Sequence, residues 1–312
     1  MKRALTVTAL VVLAAFIYLS VAEVPRQVRF PERTPITSSP ADVGLTYESF
    51  QIAATDGDHV LEGWWIPAND SIATLLFLHG GTSNRDSRFF KGLEFYRDVV
   101  AAGISVATID LRNHGASGDH VDGVQFGRTE RHDASALVAW AREKTPGAPV
   151  YLMGISMGGA TAIHAAANGV AVNGLILLDP LLLTGDTFVK SIWAYTGIPT
   201  WLLAPSSWAA QRWHGFPGPG EQAFDLAQTL QLPILALQDP GDPVTPAGPM
   251  QALAGLNPNI SLWLAPDVDP SDPRLADMGR WGTHVAAFHL FPEQTIAEIA
   301  GFISRTREAP RS

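Results

Sequence analysis

The 312-residue chain contains no cysteine. This excludes disulfides, thiolate metal sites, a cysteine nucleophile and a lipid anchor built on an N-terminal cysteine. Charge is also scarce: Asp, Glu, Lys and Arg make up 16% of the chain, against 46% apolar residues. That ratio argues against disorder and supplies apolar surface for a sizeable core. The 21 basic residues are outnumbered by 30 acidic ones, giving a net charge of -9. Such a surface repels a phosphate backbone, so nucleic acid is not an expected partner. No G-x-G-x-x-G opens a helix after a strand, and no GK[ST] phosphate loop is present. His59, His114, His120 and His132 lack metal-ligand spacing. Asp267, Asp269, Asp272 and Asp277 imitate a calcium loop, but Pro270 and Pro273 interrupt them and the terminal Glu is missing.

Among the features present, the N-terminus stands out. Lys2 and Arg3 precede an uncharged run over residues 4–22. The run is about long enough to cross a bilayer as a helix. Ser20-Val21-Ala22 offers the small residues that a signal peptidase reads. The run exceeds the roughly 7–15 residues of a cleavable signal, which favours an uncleaved signal anchor over a secreted or periplasmic form. Either way the positive flank stays inside, and the rest of the chain is expected outside the cytoplasm. Residues 23–43, rich in Pro, Arg, Ser and Thr as far as about residue 40, read as a tether. Residues 44–312 then read as one folded unit.

Within that unit, apolar runs alternate with helical patterns. Strands are expected at residues 45–53, 60–66, 74–78, 105–111, 150–155, 175–178, 234–237 and 260–264. Helices are expected at residues 89–102, 131–144, 157–167 and 292–304. Alternation of this kind predicts a mostly parallel sheet with helices on both faces. Right-handed crossovers place the loops after the strands along one edge, where ligands bind in open sheets. Residues 181–230 break the rhythm with no strand pattern and four of the nine tryptophans. So long an insertion reads as a cap over the sheet edge.

The strongest motif is Gly154-Ile155-Ser156-Met157-Gly158-Gly159, between an apolar strand and a small-residue helix. A nucleophilic serine needs such a tight strand-to-helix turn, so that its hydroxyl projects from the edge. Serine oxygen also needs a base to take its proton. His284, after the last strand and before the last helix, is the candidate; His289 and His164 read as packing residues, and His214 lies in the expected cap. The base in turn needs a carboxylate that fixes its tautomer. Asp242 is the first choice, with Asp239 and Asp179 as alternatives. An oxyanion hole needs two backbone N–H groups. Met157 supplies one by position, and Gly81, in His79-Gly80-Gly81, is the choice for the other, with Thr82 in reserve.

Five segments, TLLFLHGGTSNR (74–85), DLRNHGASG (110–118), GISMGG (154–159), GDPVTP (241–246) and GTHV (282–285), come in the order of α/β-hydrolase motifs. The chain resembles the serine hydrolases of that fold, in the branch of the Bem46-like and serine-aminopeptidase-like enzymes, over residues 44–304. The resemblance implies an α/β-hydrolase fold with a mostly parallel central sheet flanked by helices and a helical cap. It implies the triad Ser156, Asp242 and His284 and no cofactor. Asn113 stands where many relatives have Gly, and residues 266–281 form a long Asp- and Pro-rich lead to His284. The expected activity is hydrolysis of a small-molecule carboxylic ester with a hydrophobic acyl or alkyl group, through an acyl-enzyme. Peptide or amide cleavage, thioester hydrolysis and acyl transfer use the same triad. A binding protein on the same fold is the alternative of another class. The expected partners are the ester and, through the N-terminal segment, a membrane; oligomeric state is not legible.

Overall fold

The structure is a computed structural model that describes residues 2–57 and 59–307. Met1 of the apolar segment and residues 308–312 of the expected folded unit lie outside the described residues. Eight strands form one sheet: β1 (Glu48–Ala53), β2 (Val60–Ile66), β3 (Ala73–Leu78), β4 (Ile104–Ile109), β5 (Val150–Ile155), β6 (Gly174–Leu178), β7 (Ile234–Gln238) and β8 (Ile260–Leu264). Their spatial order is β1-β2-β4-β3-β5-β6-β7-β8. Only the β1–β2 and β2–β4 pairs are antiparallel. β3, β4, β5, β6 and β7 are buried along their whole length, as strands covered on both faces must be.

The helices are α1 (Lys2–Tyr18), α2 (Val24–Arg29), α3 (Gly92–Ala101), α4 (Arg131–Lys144), α5 (Met157–Ala167), α6 (Thr184–Thr196), α7 (Thr200–Trp213), α8 (Ala223–Ala227), α9 (Ala247–Leu256), α10 (Ala287–Leu290) and α11 (Pro292–Thr306). Strand alternation sorts the core into two layers. Leu76 and Leu78 of β3 point to the layer built by Leu137 of α4, Ile163 of α5 and Leu253 of α9. Leu75 and Phe77 point to the opposite layer, with Phe95 and Val99 of α3 and Ile299 and Phe302 of α11. This is the α/β-hydrolase architecture.

Local chemistry moved some boundaries. The helix expected from residue 89 begins at Gly92, because Ser87 and Lys91 take left-handed backbone (φ 47° and 60°) around a short 3-10 turn. β4 stops at Ile109, where the Asp110 carboxylate turns to the loops and accepts the N–H groups of Arg85 and Ala116. Residues 181–230 contain α6, α7 and α8 and no strand. Residues 31–39, expected within a tether, run along the domain surface. There Arg33 donates to the carbonyls of His114, Gly115 and Ser117, and Thr34 and Asn84 bond each other's neighbourhood through Thr82 O and Thr34 O.

Candidate active site

The strand order reverses between β4-β3 and β5-β6, so the loops after β3 and β5 leave the sheet side by side. Ser156 follows β5 directly. Its backbone is at φ 49°, ψ -116°, a region strained for any residue with a Cβ, and its side chain is half-buried. The turn is possible because its neighbours lack side chains. A Cβ on Gly154 would strike the Gly158 carbonyl, and one on Gly158 would strike that of Leu78.

His284 approaches from the other side, after a 3-10 segment (Pro273–Trp281) held down by Leu275 and Met278 against Ala286 and Leu290. Its Nε2 lies 3.1 Å from Ser156 Oγ, and its Nδ1 lies 2.7 Å from Asp242 Oδ2. An Nδ1–H donated to the carboxylate leaves the Nε2 lone pair facing the hydroxyl proton. His284 and Asp242 are both buried. Asp242 sits in the loop after β7, where Oδ1 accepts the N–H groups of Val244 and Thr245 at 2.7 and 2.9 Å. Thr245 Oγ1 donates to Oδ2 at 2.6 Å. The carboxylate is thus held on both oxygens as it meets the imidazole.

The two alternative acids make other bonds, although the Asp179 carboxylate lies within 4.8 Å of Asp242 and His284. Asp239 Oδ1 accepts from Thr283 Oγ1 at 2.5 Å and from the Gly241 N–H at 2.8 Å. Asp179, at the end of β6, accepts the Asp239 N–H on Oδ1 and the Val285 N–H on Oδ2, each at 2.8 Å. It therefore clamps the loop of Asp242 to the loop of His284, a role its position in the sequence does not reveal. Burial and the nearby Asp242 charge push the Asp179 carboxyl well above the usual carboxylate range.

Gly81 lies beside Met157, with the place of its missing Cβ 3.7 Å from the Met157 sulfur. Among the described residues the Gly81 N–H donates to no acceptor. Met157 opens α5, where the first N–H groups have no helical acceptor. The Thr82 N–H, by contrast, is engaged by His114 Nε2 at 3.2 Å. His79 and His114 brace this loop. His79 Nδ1 donates to Gly80 O (2.7 Å) and its Nε2 accepts the Leu111 N–H (3.0 Å). Burial lowers the imidazole of His79 to about 4 and that of His114 to about 3, so both stay neutral acceptors.

The roof of the site is aromatic. Trp281 stacks on His284, with centroids 5.6 Å apart, and Tyr195 of α6 meets Trp281 edge-on at 5.1 Å. The Tyr195 hydroxyl is 2.5 Å from Thr82 Oγ1. Arg280 donates to the carbonyls of Trp193, Ala194 and Tyr195, latching the end of α6 to the segment before His284. The other histidines lie apart from Ser156: His289 meets Arg274 O, His214 meets Val21 O, and His164 is buried in α5. Asp269 and Asp272 bond their own turns, at Ser271 and Arg274.

Known proteins share this arrangement of elements. The family described as serine aminopeptidase, S33, matches residues 69–215. A monoglyceride lipase homolog of Monkeypox virus is 31% identical over 129 residues, 41% of this chain and 45% of that protein. The match thus spans about half the length of the curated relative. An esterase structure from Pyrococcus furiosus superposes with a TM-score of 0.69 at 22% identity, covering 89% of this chain and 97% of that one. A thermophilic esterase of Thermogutta terrifontis superposes with a TM-score of 0.57 at 18% identity, over 83% and 99% of the two chains.

Proposed function

We propose, from the α/β-hydrolase fold and the geometry around Ser156, that the chain is a serine hydrolase of carboxylic esters. Ser156 Oγ attacks the acyl carbonyl as His284 Nε2 takes its proton. Asp242 keeps the imidazole in the productive tautomer and stabilises its charged form. The Gly81 and Met157 N–H groups hold the oxyanion. The protonated His284 then gives its proton to the leaving alkoxide, and the alcohol departs. Water, deprotonated by His284, attacks the acyl-enzyme; the acid leaves and Ser156 regains its proton. Trp281, Tyr195 and the apolar cap favour a hydrophobic acyl or alkyl group. We read α1 as a membrane anchor with the catalytic domain on the extracytoplasmic side.

The observation that carries this reading is the unbroken chain of bonds from Asp242 through His284 to Ser156, 2.7 and 3.1 Å long. A fluorophosphonate probe is expected to label the wild-type chain and not Ser156→Ala. The same variant should lose at least about 10⁴-fold in kcat on an acyl ester. Equal labelling of the two chains, or no labelling of either, would overturn the proposal and leave a binding role for the fold. A panel of esters, amides and thioesters at matched acyl chain separates the substrate classes that share this triad.

A further inference from the structure

The helix that begins the chain is 28 residues long, Lys2–Arg29, with a mean hydropathy of 2.4 over its most apolar window. No residue of α1 is buried by protein. The helix continues through a wider turn (Leu19–Glu23) into α2, and this continuation is what α7 of the cap packs against. His214, just after α7, meets the carbonyl of Val21 at 2.8 Å. A span of about 20 residues from the start of α1 ends near that level. The end of α7 therefore sits where α1 would leave the hydrocarbon.

The face that α7 turns outward suits such a depth. Trp201, Ala204, Pro205 and Trp208 are exposed and follow each other at helical spacing, while Leu203, Ser206, Ala209 and Ala210 are buried behind them. Trp201 is 72% exposed, and Trp208 and Trp213 are 56% exposed each, with the last two rings 4.7 Å apart. A chain of net charge -9 places no acidic residue in α7, and the one charge there is Arg212 in the last turn. Tryptophan has an apolar body and an N–H donor, and arginine holds its charge among headgroups, so this set is the one that partitions to a bilayer interface. Water-facing helices instead carry mixed charge.

We propose that the outer face of α7 rests on the lipid bilayer that α1 anchors, with Trp201 and Trp208 at headgroup depth. The occupant is the membrane surface because the face is continuous with α1 through the Val21–His214 contact and carries its only charge at the end that meets that contact. The docked surface then adjoins the roof of the candidate site. Tyr195, near the end of α6, and Ile198, between α6 and α7, are exposed beside it, and Tyr195 touches both Thr82 and Trp281. An ester dissolved in the bilayer would enter from the docked side. The inference rests on the anchored reading of α1, and its test reads contact with lipid, not catalysis.

Because the chain has no cysteine, one introduced thiol carries one label. Trp208→Cys and Trp201→Cys would each be labelled with an environment-sensitive nitrobenzoxadiazole in the full chain. The host is vesicles of phosphatidylcholine and phosphatidylglycerol containing doxyl-labelled lipid. Val11→Cys reports α1, and Leu256→Cys, exposed at the far end of α9, gives the background. Expected is quenching at 201 and 208 at least fivefold above that at 256. Quenching at 11 with only background at 201 and 208 would overturn the docking alone. A blue-shifted but unquenched label at 208 would also overturn it, assigning the face to a second copy or another protein. Background quenching at all positions would sink the anchor and the docking together, while leaving the fluorophosphonate result untouched.

Discussion

At the scale of single residues, the imidazoles around Ser156 divide their work by burial and partner. His284 bonds a carboxylate and a hydroxyl, whereas His79 and His114 bond only backbone and stay uncharged. Their neutrality has a consequence for stability. The ordinary histidine value is 6.5, and burial holds His114 down at about 3 in the folded chain. Between those two values the unfolded chain takes a proton that the folded chain refuses. Stability is therefore complete above the unfolded value and falls as pH drops below it, by about 1.4 kcal/mol per unit for each such group. His79 and His164, both lowered to about 4, act in the same direction. The raised Asp110 and Glu130 oppose them at lower pH, since a carboxyl raised by burial gains a proton on folding. His114→Gln keeps an acceptor for the Thr82 N–H and removes the titration. Between pH 7 and pH 5 it is expected to lose about 2 kcal/mol less stability than the wild type, read from urea midpoints. Equal losses in the two proteins would refute the assignment of His114 as a buried neutral group.

At the scale of elements, the strands that lead to Gly81, Ser156 and Asp242 were legible from short apolar runs, because β3, β5 and β7 are buried on both faces and carry no alternation to confuse. The elbow at Ser156 was legible too, since only glycines tolerate the approach of β5, α5 and the end of β3. The start of α3 was not, because it depends on left-handed backbone at Ser87 and Lys91, which no apolar period reports. The bounds of the helices in the insertion were likewise hidden, although a helical cap was expected: four tryptophans and several prolines mask their period, and Pro205 stands inside α7. Within this insertion the latch from Arg280 to the last carbonyls of α6 holds the cap over His284. In Arg280→Ala the carbonyls of Ala194 and Tyr195 lose their donor and that of Trp193 keeps only the Gly197 N–H, so amide exchange across residues 184–197 should quicken about tenfold. Protection across residues 157–167 of α5 should stay as it is. Unchanged exchange in α6 would show that the cap is held by packing alone.

At the scale of the whole molecule, the apolar helix near the N-terminus is set apart from the rest of the chain by its exposure. The eight Leu, Val, Ile and Phe side chains between Leu5 and Ile17 have no protein to cover them. Together they favour bilayer insertion by roughly 4 kcal/mol. The full chain expressed in a bacterial host is expected to sediment with membranes through high-salt and carbonate washes and to be released by detergent. Recovery in the soluble fraction would contradict the anchor and, with it, the placement of the cap at the interface.

Patterning in the amino-acid order was sufficient for the fold class, the tight strand-to-helix turn at Ser156 and the apolar first helix, because each is written in neighbouring residues by burial period or by missing side chains. Three-dimensional packing separated the acids that the sequence could only rank: Asp179, Asp239 and Asp242 all follow buried strands, and folding bonds Asp242 to His284 while Asp179 bonds the Val285 N–H and Asp239 the Thr283 hydroxyl. It also set residues 31–39 against the domain and laid α7 beside the continuation of the first helix. Those choices depend on contacts between segments far apart in the chain, and no local pattern encodes the direction in which a side chain leaves a loop.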